Sequence, residues 1–294
     1  MTWLEQLKFW VLLTLTIPST ICSILIFIYF YQQQRKISIY HHLTLLLTIG
    51  SFLQLTINFP FIMAYYHRGT VIRASSSFCL WWNWWEYSIN GLLLFVMAWG
   101  SIERHILVFN RAALATRRNK LLFHILPMVV VCFYPGIFYF AVMILNTCTN
   151  QWNYDAVFCQ IPCYLTAQQA LATYDFIGNV VFPVSAIAIA NGSLIFRIVW
   201  QKRHHQIVWR RQYKLTRQLV LIAVVYMAFW FPLTINGLIT TFAPTSVLTS
   251  IQVNYFFFLL FMIPDLLPFT LLACLSNFTT TIFKKQPRSI VPMH

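Results

Sequence analysis

Long apolar stretches separated by short polar connections dominate the chain. Seven of these stretches are long enough to cross a membrane as a helix, which takes about 20 mostly apolar residues. They cover roughly residues 9–31, 38–66, 76–108, 121–145, 166–200, 214–242 and 248–275. The pattern therefore predicts an all-α membrane protein: residues 1–294 form one domain, a seven-transmembrane helix bundle.

Composition and charge support this prediction and give the bundle an orientation. Of the 294 residues, 59% are hydrophobic and 9% charged, whereas soluble domains carry roughly 25% charged residues. All but three of the 20 lysines and arginines (the three are Lys8, Arg68 and Arg73) follow spans 1, 3, 5 and 7 or lie at the adjoining helix ends. Because positive residues favour the cytoplasmic side, we expect an outer N-terminus and an inner C-terminus.

The net charge of +14 is mostly this inner-face excess. It indicates contact with anionic membrane lipids and not with nucleic acid. Since no leader with a cleavage site is recognisable before span 1, we expect this span to serve as its own uncleaved signal. A short amphipathic eighth helix is predicted after span 7, where Phe278, Ile282 and Phe283 are followed by Lys284 and Lys285.

Four of the six acidic residues fall inside predicted spans, where a charge costs about 2.5–3.5 kcal/mol. They are Glu86, Glu103, Asp175 and Asp265. Arg104 follows Glu86 by about five helical turns, or about 27 Å, so the two share one face of span 3. We expect this face to point into the bundle, where Glu103 neutralises Arg104. The alternative is an arginine that reaches the headgroups from the helix end.

Several motifs resemble those of the rhodopsin-like (family A) G-protein-coupled receptors. Glu103-Arg104-His105 resembles the Asp/Glu-Arg-Tyr motif that ends the third helix, and Cys79 stands before it at the family's separation. Phe229-Trp230-Phe231-Pro232 resembles the Cys-Trp-x-Pro motif of the sixth helix. Pro268 lies where the seventh-helix Asn-Pro-x-x-Tyr motif is expected. The resemblance implies a receptor in the plasma membrane that transduces ligand binding into activation of a heterotrimeric G protein.

The resemblance also implies a disulfide at Cys79. Four cysteines lie on the predicted outer side, which is oxidising, and they allow three pairings. The partner of Cys79 would be Cys159 or Cys163. We favour Cys79–Cys159, with Cys148–Cys163 closing the second outer loop on itself.

The implied ligand site lies toward the outside of the bundle. Glu86 stands where the aminergic receptors of the family place a carboxylate for the ligand amine, and Asp175 stands among the ligand-facing positions of the fifth helix. Two acids facing one cavity suit an extracellular small-molecule amine or a basic peptide. Tyr87, Asn90 and Trp230 complete the predicted site. The alternatives are that Glu86 pairs with Tyr87 or Asn90, and that Trp230 only packs.

The implied switch and coupling residues are Glu103, Arg104, His105, Pro232 and Pro268. Pro232 gives the sixth helix a hinge, and Arg104 turns from Glu103 toward the G protein. Trp81, Trp82, Trp84 and Trp85 are expected to form an interfacial belt, with one or two of them lining the ligand site.

Departures from the family pattern identify a divergent member, similar to invertebrate orphan or chemosensory-type receptors. The region 47–51 lacks the second-helix aspartate, and Asn191 replaces the fifth-helix tyrosine. The main alternative function is a membrane transporter or channel, although no internal repeat is visible. An opsin is excluded because no lysine lies in span 7. An enzyme, metal site or cofactor is not expected, because the eight histidines do not converge with acids at ligand spacing.

Overall fold

The protein is a bundle of long helices. The computed structural model describes residues 3–32, 39–109, 116–201, 209–243 and 245–274, and no strand occurs among them. The long helices are α1 (Trp3–Gln32), α2 (39–68), α3 (Ser76–Phe109), α4 (117–143), α5 (169–201), α6 (Trp209–Phe242) and α7 (246–274). The predicted all-helical architecture is confirmed for these residues, and the predicted eighth helix lies outside them.

Most of these helices are long and apolar enough to cross a membrane. Five segments meet both conditions: Trp3–Gln32, His42–Arg68, Arg117–Met143, Gln169–Arg197 and Val220–Thr241. Phe257–Ala273 is a shorter apolar helix, and α3 has 34 residues but contains several polar positions. The helices also expose large apolar side chains such as Trp10, Phe133 and Ile189, which suits contact with lipid. The protein is therefore a multi-pass membrane protein.

Helix α3 lies at the centre of the bundle. It packs against α2, α4, α5 and α6, while α7 packs against α1, α2 and α6. Fully buried apolar side chains from five helices form the core: Leu47, Leu94, Met97, Ile187, Ile222 and Leu267. Both Glu86 and Arg104 are 6% exposed, so the predicted inward face of α3 is buried at both ends.

A glycine allows α2 and α3 to approach closely. A Cβ atom at Gly100 would lie 2.2 Å from a methyl carbon of Leu43 on α2. Any larger residue at this position would therefore have to displace Leu43 or move one of the two helices. Gly136 on α4, in contrast, has no atom within 4 Å of the corresponding position.

Two disulfides fix the connection between α4 and α5. They are Cys79–Cys159 and Cys148–Cys163, which are the favoured pairings. A short helix, Cys163–Ala167, precedes α5, and the backbone leaves helical geometry at Gln168 (φ −123°, ψ 77°). Helix α5 therefore begins slightly after the predicted start of its span at residue 166.

Four of the long helices contain a π-helical segment. These segments are Gln54–Asn58 in α2, Leu121–Ile125 in α4, Asp175–Val181 in α5 and Gln252–Phe256 in α7. The wider turn changes the direction of the side chains beyond it, and such segments occur frequently at functional sites. Each one carries a polar side chain that contacts another helix: Asn58, His124, Asp175 and Gln252.

Candidate functional site

A cavity of about 200 Å³ lies between α3, α4, α5, α6, α7 and the connection before α5. All five residues of the predicted ligand site line it: Glu86, Tyr87, Asn90, Asp175 and Trp230. The other polar lining residues are Tyr139, Asn179 and Gln252, and the rest of the wall is mainly apolar. The structure thus brings the predicted residues together, and their binding role stays a prediction.

Glu86 is held by amides from α2 and α3. Its Oε1 accepts a hydrogen bond from Asn90 Nδ2 at 2.7 Å, and its Oε2 accepts one from Asn58 Nδ2. Asn58 Oδ1 accepts from Trp82 Nε1 at 2.7 Å, and Gln54 Nε2 donates to Asn90 Oδ1 at 3.2 Å. The pairing of Glu86 with Asn90 is one of the two expected alternatives.

Sequence reasoning missed Gln54 and Asn58. They stand four residues apart in an otherwise apolar span, and Asn58 Nδ2 also donates to Gln54 Oε1 at 3.0 Å. Polar residues at this spacing share one face of a helix, and both are almost fully buried. The four-residue spacing of Gln54 and Asn58 could have predicted a polar face of α2 that points to α3.

Asp175 is held by neutral donors as well. Its Oδ1 accepts from the Tyr139 hydroxyl at 2.9 Å and from Asn179 Nδ2 at 2.7 Å. Its Oδ2 accepts from the Tyr164 hydroxyl at 2.8 Å, so the carboxylate joins α4, α5 and the short helix before α5. Tyr134 completes this group by donating to Asn179 Oδ1 at 2.8 Å.

The two carboxyl groups have no counter-charge among the described residues. No lysine, arginine or histidine lines the described cavity wall, and the contact between His124 and Glu103 involves neither acid. All oxygens of Glu86 and Asp175 accept hydrogen bonds from amides or phenols. The cavity therefore presents two acids and no base.

The connection before α5 covers part of the cavity. Phe158, Cys159 and Gln160 all have positive φ values, of 57°, 56° and 82°, which is uncommon for residues other than glycine. This backbone directs Phe158 to the cavity wall, where its ring lies 5.0 Å from Trp82 and 5.9 Å from Phe261. The disulfide at Cys159 holds the same segment against α3.

The four clustered tryptophans serve different purposes in the structure. Trp81 is 36% exposed, as an interfacial residue would be, whereas Trp82 is buried behind Glu86. Trp84 donates to the backbone carbonyl of Gly136 on α4 at 3.1 Å. None of the four is among the described residues that line the cavity, so the expectation that one or two of them line the ligand site is wrong.

At the opposite end of α3, Glu103 contacts a histidine. His124 Nδ1 lies 2.5 Å from Glu103 Oε1, and its Nε2 lies 3.0 Å from Nδ1 of His42. The expectation that histidines do not converge with acids at ligand spacing was made from positions along the chain, and the structure brings two histidines to one acid here. The packing of α2 and α4 on α3 brings these residues together, which spacing along the chain could not show. No group of three or more potential metal ligands occurs in the described ranges.

The remaining switch residues lie on α3, α6 and α7. Arg104 is buried next to Glu103, and the neutralisation of Arg104 by Glu103 stays a prediction. His105 lines a shallow groove between α3 and α5. Pro232 lies within α6 just after Trp230, and Pro268 lies within α7. Asn191 on α5 donates to Ser101 Oγ at 2.9 Å, which adds a direct tie between α5 and α3.

Among the described residues, Asp265 is the fourth acid that accepts a hydrogen bond from another helix. It is fully buried, and its Oδ1 accepts from Thr16 Oγ1 on α1 at 3.2 Å. Closer to the start of α7, Gln252 Oε1 accepts from Asn236 Nδ2 on α6 at 3.0 Å. Polar contacts thus join α7 to both of its neighbours.

A comparison with known families agrees with this arrangement. The family model described as 7 transmembrane receptor (rhodopsin family) matches residues 22–276, a range that includes the cavity and both ends of α3. It describes receptors and not enzymes. No curated protein sequence matches the chain. Because the family model covers most of its length, the chain belongs to the rhodopsin family of seven-transmembrane receptors.

Proposed function

We propose that the chain is a plasma-membrane G-protein-coupled receptor for an extracellular cationic ligand, an amine or a basic peptide. The observation that carries this proposal is the pair of buried acids, Glu86 and Asp175, on one cavity whose described wall contains no basic residue. Because a carboxylate is costly to bury without a counter-charge, a cation that enters this cavity gains a strong electrostatic interaction.

Seven crossings with an outer N-terminus fit the distribution of charge and cysteine. One disulfide joins Cys79, at the start of α3, to the connection before α5, and the other lies within that connection. Disulfides form in oxidising compartments. Nearly all lysines and arginines belong to the opposite connections, as expected of the cytoplasmic side. In this orientation the whole chain is one receptor domain, and the cavity lies toward the outside.

Coupling to a heterotrimeric G protein would involve the inner end of α3. Glu103 and Arg104 are buried there among residues of α2 and α4, and His105 follows them. Ligand contact with Trp230 would act on α6 near Pro232, which removes a backbone hydrogen bond and allows the helix to bend. Pro268 gives α7 a similar point of bending.

The departures from the family motifs support a divergent receptor, similar to invertebrate orphan or chemosensory-type members. Asn191 contacts Ser101 where the family has a tyrosine, and His124 is the described hydrogen-bond partner of Glu103. The resting state of this receptor would thus be held by contacts that differ from the usual ones.

A second-messenger assay in cells tests the proposal. Cells that express the receptor are exposed to biogenic amines and basic peptides, with Glu86→Gln beside the wild type. For an active compound we expect Glu86→Gln to raise the half-maximal concentration by at least roughly 30-fold, the effect of removing one partner of a buried charge pair. Asp155→Asn is the matched control, because it removes an exposed acid from an outer connection.

Two outcomes would contradict the proposal. If amines activate wild type and Glu86→Gln equally well, the carboxylate does not bind the ligand amine. If no condition, including high expression, gives a signal that Arg104→Ala abolishes, the chain does not couple through the inner end of α3.

A further inference from the structure

We infer that the ligand carries two positive charges, one for Glu86 and one for Asp175, and that it is a short, flexible diamine. The inference rests on the proposed function of the cavity and narrows the class of ligand. A single cationic group satisfies the proposal above, whereas the geometry of the cavity points to a second one.

The first argument is the number of acceptor sites that remain on the two acids. An ionised carboxylate offers about four lone-pair positions to donors. Glu86 uses one on each oxygen for the amides of Asn58 and Asn90, and Asp175 uses three for Tyr139, Tyr164 and Asn179. Each acid therefore keeps acceptor capacity for a ligand donor.

The second argument is charge. The partners of Asp175 are phenols and an amide, which stabilise a carboxylate but do not neutralise it. A ligand with one cation at Glu86 would leave Asp175 as a buried acid without a counter-charge among the described residues. A ligand with a second ammonium group would neutralise both. Charge-assisted hydrogen bonds are roughly twice as strong as neutral ones, so the second ammonium group adds affinity.

The third argument is size and shape. A cavity of about 200 Å³ is smaller than the roughly 300–1,000 Å³ of sites for drug-sized ligands, which favours a small diamine over a peptide. Glu86 lies on α3 and Asp175 on α5, so the two ammonium groups need a spacer between them. Aromatic rings of Tyr87, Trp230 and Phe261 line the same cavity and suit both a methylene chain and a cation.

The test is a series of linear α,ω-diamines of increasing chain length, each beside the monoamine of the same length. The readout is receptor signalling in cells. For the wild type we expect one chain length at which the diamine has a half-maximal concentration at least about tenfold lower than its monoamine, as one added charge-assisted hydrogen bond would give. Asp175→Asn should bring the half-maximal concentrations of the diamine and its monoamine to within about twofold of each other, whereas Glu86→Gln should weaken both series.

Tyr164→Phe is the matched control. It removes one neutral donor from the same carboxylate without changing its charge, so the diamine advantage should persist. Surface expression of every variant is measured with an external tag, and the wild-type series decides the question even if Asp175→Asn does not reach the surface.

The outcomes separate the inference from the proposed function. If monoamines act through Glu86 and no diamine exceeds its monoamine, the second charge is refuted and the cationic ligand stands. If Tyr164→Phe removes the advantage as fully as Asp175→Asn, Asp175 only positions the connection before α5, and the inference fails. If neither series changes signalling, the diamine inference fails, and the screen of other amines and peptides with Glu86→Gln decides the broader proposal.

Discussion

The contact between Glu103 and His124 should contribute strongly to the stability of the bundle. It joins α3 to α4 with both side chains almost fully buried, at 6% and 4% exposure, and a separation of 2.5 Å. We consider His124→Phe, which keeps an aromatic ring next to His42, together with Glu103→Gln and the double variant. The question is whether the two side chains stabilise each other or merely fill space.

The structure allows the magnitudes to be worked out. A hydrogen bond to a charged group contributes about 1.5–3 kcal/mol, and leaving a buried acceptor without its partner costs about 1–3 kcal/mol, or more when the acceptor is charged. We expect His124→Phe to lower the free energy of unfolding by about 3 kcal/mol, because Glu103 keeps its carboxylate and loses this partner. In the double variant the loss should be smaller than the sum of the single losses, by about 1.5–3 kcal/mol.

The assay is unfolding of the purified, detergent-solubilised protein, with all four proteins measured under one set of conditions. His42→Phe is the control: His42 contacts the far nitrogen of His124, so its loss should cost only about 1 kcal/mol. The reasoning is refuted if His124→Phe changes the free energy by less than about 0.5 kcal/mol. Additivity of the two substitutions within about 0.5 kcal/mol would refute it as well.

Three further predictions concern packing and the outer half of the bundle. Gly100→Ala should destabilise the protein by about 1–3 kcal/mol through overpacking against α2. Gly136→Ala, in contrast, should be neutral or stabilising by up to about 1 kcal/mol. A melting temperature that is higher for Gly100→Ala than for Gly136→Ala would contradict this prediction. Paired alanine substitutions at Cys148 and Cys163 open a loop with a sequence separation of 15 and should cost about 3 kcal/mol; an unchanged melting temperature would show that the bridge does not stabilise the fold. Asn58→Leu removes the amide that donates to Glu86. It should lower the free energy of unfolding by about 1–3 kcal/mol and weaken the response to amines. A normal response at equal surface expression would show that this amide does not support ligand binding.

Much of the architecture could be predicted from the sequence because the bilayer constrains it. Apolar runs long enough to span a membrane located the helices, and the separation of Glu86 and Arg104 along one face identified the buried side of α3. The five predicted ligand-site residues line one cavity because each lies on an inward face of its helix. The disulfide partners followed from the resemblance and from the predicted sidedness of the cysteines.

The contacts between helices could not be predicted in the same way. His42 and His124 meet only because α2 and α4 rotate those positions toward α3, and no spacing along the chain encodes this rotation. The π-helical segments add a further change of direction within a helix, as at Asn58. The break at Gln168 separates a short helix from α5, although the apolar run continues across it.

Helix α3 contacts α2 and α4 in one way and α6 in another. This difference favours movement of α6 relative to α3. Hydrogen bonds with fixed directions join α3 to α2 and α4, at Asn58 and His124. Helix α6 meets α3 in the core through apolar side chains such as Ile222 and Leu233, which have no preferred direction. A tilt of α6 relative to α3 can therefore exchange one set of apolar neighbours for another at little cost, while α2, α3 and α4 act as a frame against which that tilt occurs.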